Sequence, residues 1–364
     1  MTRTECYLAL NSVHGIGPVR VRKLLEAFET VENIFQADPV ALARVDGIGK
    51  ELAQSLCEWE KHWDLAAEWA KIKELGLGVI DRDDPKYPHR LREIYDPPMV
   101  LYYKGDLEVI QKRCLAIVGS RHTTSYGFET ARKLSYQSAY AGLTIVSGLA
   151  RGIDTAAHQG ALAAKGRTAA IYGCSLDMVF PQENRPLTEK IVESGGALIS
   201  EFCLGTTPDK YTFPMRNRII SGLSDGVLVV EAGQQSGAII TARLALDQGR
   251  QVFAVPGRVD NPHARGCHSL LKEGARLVED VDDIFNEFEL LFPKKEIEGE
   301  RKLPTDLSPE ELAIFNVLEN DDIHIDAIIR KCGLPSAVVS SSLLRLELKR
   351  LVRQLPGKFF IKTA

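Results

Sequence analysis

The chain has 364 residues, of which 45% are hydrophobic, so it can bury large cores and is predicted to fold as two or three domains. Its 45 basic and 49 acidic residues give a formal net charge of −4, which excludes a histone-like polycation but is compatible with a local basic groove. The seven cysteines contain no CxxC pair, so neither a zinc site nor a disulfide framework is predicted. No secretion signal and no apolar run of membrane-spanning length occur, and we expect a soluble, cytoplasmic protein without a membrane partner.

Residues 1–75 show a helical apolar period and no strand-like run. Two glycine motifs occur there: Gly15-Ile16-Gly17 and, further along, Gly47-Ile48-Gly49 followed by Lys50. They resemble paired helix-hairpin-helix (SAM-like) motifs, in which glycine hairpins present backbone amides to DNA phosphates without reading sequence. A small helical bundle that uses glycines for tight turns would show the same pattern. The first copy has Pro18 where the second has a lysine, and both interpretations stay open.

Residues 79–290 alternate short apolar runs with amphipathic stretches. Parallel strands that are buried on both faces give near-continuous apolar runs, joined by helical crossovers. The pattern therefore predicts an α/β fold, a Rossmann-like doubly wound and mainly parallel sheet. Ligands bind outside the carboxyl ends of such strands, so functional residues are expected just after each run. The six predicted strands cover residues 114–119, 143–147, 168–173, 197–201, 226–231 and 251–256.

Two of these strand ends are rich in glycine. The first, Gly119-Ser120-Arg121, combines a glycine that allows a tight turn with an arginine whose planar guanidinium suits a phosphate. A tight strand–helix turn with an exposed arginine would give the same sequence pattern. Neither the dinucleotide fingerprint nor a P-loop is present. The second, from Gly148 to Gly152, precedes a helix that Asp154 is expected to cap, with His158 one turn further on. An acid/base or metal pair is the alternative, but a cap beside a hydrogen-bonded histidine is favoured.

Two further strand ends carry candidate contacts. The segment from Pro208 to Ile220 interleaves cations with aromatic rings, which is typical of sites where cations follow phosphates and rings stack on bases. A solvated basic loop leading into a helix is the simpler interpretation. The last strand end carries Ser236-Gly237 at a helix start. The small residues there indicate either an anion-binding helix N-terminus or close packing of the helix on the sheet. The candidates in the third segment are Lys210, Phe213, Arg216, Asn217 and Arg218, with Tyr211 among them.

The last part of the chain reads as a linker and a small helical module. Residues 291–305 are charged and poor in large apolar groups, as in a solvated linker. Residues 306–364 begin with Ser308-Pro309-Glu310-Glu311, a strong helix start, and end in a predicted β-hairpin at 351–361. Three helices and a hairpin predict a winged helix, for which duplex binding and protein contact are both open.

Together these motifs resemble the DprA (Smf) family of DNA-processing proteins. The resemblance rests on GSR at 119–121, SGLARGID at 147–154, FPMRNRIISGLS at 213–224, SGAIITA at 236–242 and QVFAVPG at 251–257, with YPHRLREIYDPPMVLYYKGDL at 87–107 before them. One departure is Gly266-Cys267-His268, where the family usually has an asparagine two residues after the glycine. Whether His158 and His268 do more than pack is left open.

The resemblance implies a function and a set of contacts. Members of the family bind and protect single-stranded DNA, help to load the RecA recombinase during natural transformation, and dimerise through the Rossmann domain. No enzymatic activity, metal or cofactor is expected. The family's phosphate-contacting arginine corresponds to Arg121, its basic and aromatic contacts to Lys210 and Phe213, and a further contact loop to Ser236 and Gly237. The variable tail module of the family corresponds to the predicted winged helix.

The alternative function belongs to another class. The same scaffold resembles nucleotide phosphoribohydrolases of the lysine-decarboxylase-like group, in which Glu201 or Glu231 would assist cleavage of a nucleoside monophosphate. Those enzymes carry a PGGxGTxxE run, which this chain lacks in the comparable stretch 231–237. A NAD-dependent dehydrogenase ranks third, because the dinucleotide fingerprint is missing.

Overall fold

The structure, a computed structural model, describes residues 1–291, 307–318, 323–348, 351–355 and 357–362. It divides into two compact units, Met1–Pro293 and Lys294–Ala364. The predicted linker at 291–305 lies, apart from its first residue, outside the described residues. Every helix in the described part of the chain is too short or too polar to span a bilayer. All seven cysteines are described and carry free thiols.

Residues 1–75 form α-helices, in agreement with their apolar period. Gly15 and Gly47 turn the chain just before the helices that begin at Pro18 and Lys50, with φ angles of +86° and +83°, in the left-handed region that favours glycine. The Arg20 side chain joins the two hairpins by donating hydrogen bonds to both of these glycine carbonyls. The helices are α1 (Arg3–Ser12), α2 (Pro18–Phe28), α3 (Val31–Gln36), α4 (Pro39–Leu42), α5 (Lys50–Cys57) and α6 (Leu65–Glu74).

A nine-stranded sheet follows, with all six predicted strands in its parallel part. Its strands are β1 (Gly78–Asp81), β2 (Val100–Gly105), β3 (Cys114–Val118), β4 (Thr144–Ser147), β5 (Thr168–Ile171), β6 (Ala197–Ser200), β7 (Gly226–Val229), β8 (Gln251–Ala254) and β9 (Arg276–Leu277). The strand order is β1-β2-β6-β5-β4-β3-β7-β8-β9. The strands β1 and β2, which the sequence did not indicate, are antiparallel additions to β6.

Helices cover both faces of the sheet, and β3 to β7 are buried along their whole length. The helices of this part are α7 (His89–Arg92), α8 (Ser125–Tyr140), α9 (Ile153–Ala163), α10 (Arg185–Glu193), α11 (Thr212–Gly222), α12 (Gly237–Asp247), α13 (Arg265–Lys272) and α14 (Val281–Leu291). The chain leaves β3 through β4, β5 and β6 on one side and returns to β7 on the other. The sheet therefore has a topological switch point beside β3, where such folds bind ligands.

The helical region and the sheet share a hydrophobic core. Met99, Val100 and Tyr102 of the β2 region belong to the same buried cluster as the helices α1 to α6. The Tyr102 hydroxyl donates to Glu68 of α6 at 2.8 Å. The helical region therefore packs against the antiparallel side of the sheet.

The second compact unit is a winged helix, as predicted. Ser308 caps the helix that begins at Pro309 and forms the capping box with Glu311 that the sequence indicates. The two wing strands pair antiparallel, and Pro356 between them lies outside the described residues. The elements are α15 (Pro309–Val317), β10 (Ile323–His324), α16 (Ile325–Cys332), α17 (Ser336–Leu348), β11 (Val352–Leu355) and β12 (Phe359–Lys362), with the sheet order β10-β12-β11.

Candidate functional site

A cleft of about 610 Å³, here called the switch-point cleft, opens at the carboxyl ends of β3 and β7. Most of the residues singled out from sequence line it, whereas Gly148, Gly152 and Arg218 do not. Loops that are far apart in the chain meet here because parallel strands end at one edge of the sheet. The predicted residues in its wall are Gly119, Ser120, Arg121, Lys210, Phe213, Arg216, Asn217, Ser236 and Gly237.

Hydrogen bonds of Ser120 hold the loop after β3 in place. The Ser120 amide donates to the Glu231 carbonyl oxygen at 2.6 Å, and the Ser120 hydroxyl accepts from the His122 amide at 3.1 Å. A Cβ atom at Gly119 would collide with Ile153 of α9, so only glycine allows this close approach. These contacts leave the Arg121 side chain exposed at the cleft mouth.

Glu231, considered above as a catalytic base, holds the following turn. Its carboxylate accepts hydrogen bonds from the Thr123 hydroxyl at 2.5 Å, from the Thr124 amide at 2.8 Å and from the Thr124 hydroxyl at 3.0 Å. The Asn261 amide adds a fourth at 3.2 Å. Burial raises the pKa of the Glu231 carboxyl, but these hydrogen bonds outweigh it and the net pKa is lowered. Such a group positions a loop and is a poor general base.

Phe213 is the centre of the cation–aromatic arrangement. The Arg121 guanidinium carbon lies 4.9 Å from the centroid of the Phe213 ring, and that of Arg216 lies 6.0 Å from it. Phe180 tilts against the same ring at 5.7 Å between centroids. A Cβ atom at Gly173 would collide with the ring, so the backbone just after β5 packs directly against it. Phe180 was missed from sequence because it lies outside the basic run that drew attention to Phe213.

Lys210 and Tyr211 lie beside this ring on the surface. Both side chains are exposed, and the Lys210 ammonium is 4.9 Å from the Tyr211 ring centroid. Asp209 fixes the turn that carries them by accepting from the Tyr211 amide at 2.8 Å. The start of the run, up to the first turn of α11, therefore presents the exposed Lys210 cation and the rings of Tyr211 and Phe213 toward solvent and the cleft.

Arg216 is buried, with 4% of its surface exposed, although it lines the cleft. Its Nη1 donates to the carbonyl oxygens of Gly148 and Ile171, each at 2.5 Å. Burial lowers the pKa of Arg216 to about 10, with the Asp154 carboxylate acting in the opposite direction. A Cβ atom at Gly148 would collide with this guanidinium, so Gly148 is required for packing. Arg216 thereby provides a fixed positive charge beneath the cleft.

The structure corrects the prediction for Arg218. Its side chain is buried and donates to Glu201 at 2.5 Å and to Asp96 at 3.0 Å. Burial lowers the pKa of Arg218, but the two carboxylates outweigh it and the net pKa is raised. Already neutralised and outside the cleft, Arg218 stabilises the fold and cannot meet a phosphate there. The same pairing engages the Oε2 atom of Glu201, the other glutamate of the hydrolase alternative.

The prediction for the loop after β4 also needs correction. The N-cap of α9 is Gly152, and Asp154 instead accepts from the amides of Gly148 and Ala150 at 3.1 and 3.3 Å. Gly152 has a φ of +74° and packs against the Ser120 carbonyl, so glycine is required there for the backbone conformation, and a DNA contact by Gly152 stays a prediction. This loop supports the loop after β3 from below.

His158 does not pair with Asp154. It is fully buried, its Nδ1 lies 2.7 Å from the Thr168 hydroxyl, and burial lowers its pKa to about 3. Within the described ranges, no group of histidine, cysteine, aspartate or glutamate is arranged to hold a metal ion. The hydrogen bond to the Thr168 hydroxyl agrees with the hydrogen-bonded histidine favoured from sequence.

The remaining candidates lie at the opposite wall of the cleft. Ser236 caps α12 by accepting from the Ala238 amide at 3.3 Å, and Asn217 donates to the Gly237 carbonyl at 3.4 Å. At the site of the family departure, Nε2 of His268 lies 2.9 Å from the Gly257 carbonyl and joins α13 to the loop after β8. Two histidines that sequence reasoning did not select, His122 and His263, also line the cleft.

Comparison with known proteins gives consistent results. The sequence model of "DNA recombination-mediator protein A" matches residues 78–289, that of the DprA winged helix domain matches 298–358, and that of the SAM-like helix-hairpin-helix tandem matches 7–58. Protein Smf of Escherichia coli (strain K12) is 41% identical, with 99% of this chain and 96% of Smf covered.

Two solved structures are also similar. That of DNA processing protein A (DprA) from Streptococcus pneumoniae shares 36% identity at a TM-score of 0.69, over 79% of this chain and 98% of that one. DNA processing protein A from Helicobacter pylori, described for its single-stranded DNA binding mode, shares 30% identity at a TM-score of 0.53, over 58% of this chain and 95% of that one. The fold, the three matched segments and the near-complete alignment with Smf show that this chain belongs to the DprA (Smf) family of DNA-processing proteins.

Proposed function

We propose that this chain binds single-stranded DNA in the switch-point cleft, without sequence preference and without chemistry of its own. In the same proposal it acts as a cytoplasmic homodimer that protects incoming DNA and helps to load the RecA recombinase during natural transformation. The family description as a recombination mediator and the single-strand binding of the H. pylori relative support it.

The observation that carries the proposal is the Arg121 guanidinium 4.9 Å from the Phe213 ring at the mouth of the cleft. A cation follows the phosphates of a single strand, while an aromatic face stacks on its bases. Lys210 adds a second exposed cation beside this pair. The buried charge of Arg216 lies beneath, where it attracts phosphate without needing to move.

The same contacts explain why no sequence preference is expected. Base edges are read by side chains that form paired hydrogen bonds to them, as arginine does to guanine in a duplex groove. Here the groups at the cleft mouth are a guanidinium, an ammonium and the face of a ring. Phosphates and ring faces are common to all nucleotides.

The test measures fluorescence anisotropy of labelled oligonucleotides with the full chain. Mixed-sequence and homopolymeric single strands are expected to bind with similar affinity, and the matching duplex more weakly at the same salt concentration. A duplex that competes as well as the single strand would contradict the proposal. The RecA part is tested separately, by the rate at which RecA assembles on single strands with and without this chain.

A further inference from the structure

A second cleft, here called the junction cleft, lies between the helical region and the sheet. It encloses about 490 Å³, within the usual range for a ligand pocket. The first glycine hairpin, the start of the loop after β6 and the beginning of α11 form its walls. Its lining includes Asn11, His14, Trp63, Met99, Glu201, Phe202 and Met215.

The two clefts share a wall. Phe213, Pro214 and Arg216 line the switch-point cleft, whereas Met215 lines the junction cleft. Met215 is 47% exposed, so it forms a low boundary between them at the surface. A single strand that leaves the Phe213 ring over Met215 therefore enters the junction cleft.

The chemistry of the junction cleft differs from that of its neighbour. The switch-point cleft has Arg121, Lys210 and Arg216 in its wall, whereas the residues described as lining the junction cleft include neither lysine nor arginine. It is thus poorly suited to a phosphate. Instead it offers the tryptophan ring of Trp63 and the thioether of Met215, surfaces on which a flat apolar group packs.

Polar groups in the junction cleft are fixed before any ligand arrives. The Asn11 amide donates to the Glu201 carbonyl oxygen at 2.8 Å and to the Cys203 sulfur at 3.5 Å, which ties α1 to the loop after β6. Glu201 is 6% exposed, and while its Oε2 accepts from Arg218, its Oε1 is buried without a hydrogen-bond partner among the described residues. A buried acceptor without a donor is costly, and because Glu201 lines the junction cleft, an N–H group of a ligand would satisfy Oε1 once this side chain turns toward the cleft.

From this combination we infer that the junction cleft binds a nucleobase of the strand held in the switch-point cleft, with its ring against Trp63 and an amino or imino N–H directed to Glu201. The inference rests on the proposed function, since the strand must first occupy the switch-point cleft. Each of the four bases carries an N–H donor on its Watson–Crick edge, so the pocket extends the binding site without imposing a strict sequence.

The test is a length series of oligodeoxythymidylates, with Trp63→Ala compared with Trp69→Ala. Trp69 is a partly buried tryptophan of α6 that does not line the junction cleft, so it controls for lost packing. Wild type is expected to gain affinity in a step once the oligonucleotide reaches the second cleft. Trp63→Ala should lose that step, about a tenfold loss on long strands, and keep its affinity for short ones.

Two outcomes would overturn the inference: no step in the wild type, or equal losses at all lengths in both tryptophan variants. If instead Arg121→Ala leaves the affinity for short strands unchanged, the proposed function fails first. A second measurement needs no variant. Photo-crosslinking with 5-iodouracil placed at successive positions should give adducts at His14, Trp63 or Met215 from one end of the strand only, and adducts confined to the switch-point cleft would count against the inference.

Discussion

The segment from Lys210 to Arg218 contains two regions that look alike in sequence and differ in structure. Its first half, before and at the start of α11, holds Lys210 and Tyr211 exposed and Phe213 partly exposed. Its second half, inside α11, holds Arg216 and Arg218 buried, with exposures of 4% and 5%. Both halves carry cations, yet only the first half exposes a cation that can contact a phosphate directly.

The difference arises from where α11 starts. Up to Thr212 the backbone runs over the surface, and from there the helix turns inward against the sheet. Arg218 then meets Glu201 and Asp96, while Arg216 meets backbone carbonyls of the strand ends. A buried arginine must be paired in this way, since an unpaired buried charge is strongly unfavourable. The exposed half is thus expected to bind, and the buried half to hold the loops that bind.

The largest expected effect comes from breaking the buried half at Arg218. Arg218→Met removes the partner of Glu201 and leaves a buried carboxylate uncompensated, so we expect a loss of about 3–5 kcal/mol in the free energy of unfolding. Urea unfolding followed by circular dichroism measures it. The double variant Arg218→Met/Glu201→Leu also removes the uncompensated carboxylate, so it should recover much of the lost free energy of unfolding. A single variant as stable as wild type would show that the ion pair contributes little.

The next effect concerns the exposed half at Phe213. Phe213→Ala should lower single-strand affinity by about 1–3 kcal/mol, because one base loses its stacking partner. Phe213→Tyr keeps the ring and should bind as wild type does. Anisotropy titration at fixed salt measures both. Because Phe213 also packs on Phe180, the urea unfolding of each variant must be compared with that of wild type. If a folded Phe213→Ala protein bound single strands as tightly as wild type, no base would stack on Phe213.

Much of this arrangement was predictable from sequence and part of it was not. Six apolar runs located the parallel strands, and glycines such as Gly119 marked where loops approach closely. The antiparallel β1 and β2 escaped notice because Val100–Gly105 carries polar residues at its end and pairs with β6, a strand distant in sequence. The burial of Arg218 was not predicted for a similar reason, because its partners Asp96 and Glu201 come from distant parts of the chain. Spacing along a chain reports local structure, while pairing across the fold decides which charges are buried.

A smaller effect depends on pH and concerns His158, a buried residue of α9. His158 has a pKa lowered to about 3 by burial, against about 6.5 when unfolded. The unfolded chain therefore binds the extra proton, so the stability contributed by neutral His158 is complete above pH 6.5 and falls by roughly 1.4 kcal/mol per pH unit as pH drops toward 3. His158→Asn should unfold with a flatter pH dependence between pH 6.5 and 5.5, measured by urea titration at each pH. Identical slopes in the two proteins would show that His158 is not kept neutral.

The smallest effect is a change in the salt dependence of single-strand affinity when the exposed cations are removed. Each phosphate contact with a single strand contributes about 0.7 to the slope of log affinity against log salt concentration. Arg121→Ala and Lys210→Ala should each reduce the slope by roughly that amount, and the double variant by about twice as much. Arg132→Ala provides the control, because Arg132 is exposed on α8, pairs with Glu129 at 2.7 Å and does not line the cleft. If the control changed the slope as much as Arg121→Ala, the attraction would come from the overall charge of the surface rather than from the exposed cations beside Phe213.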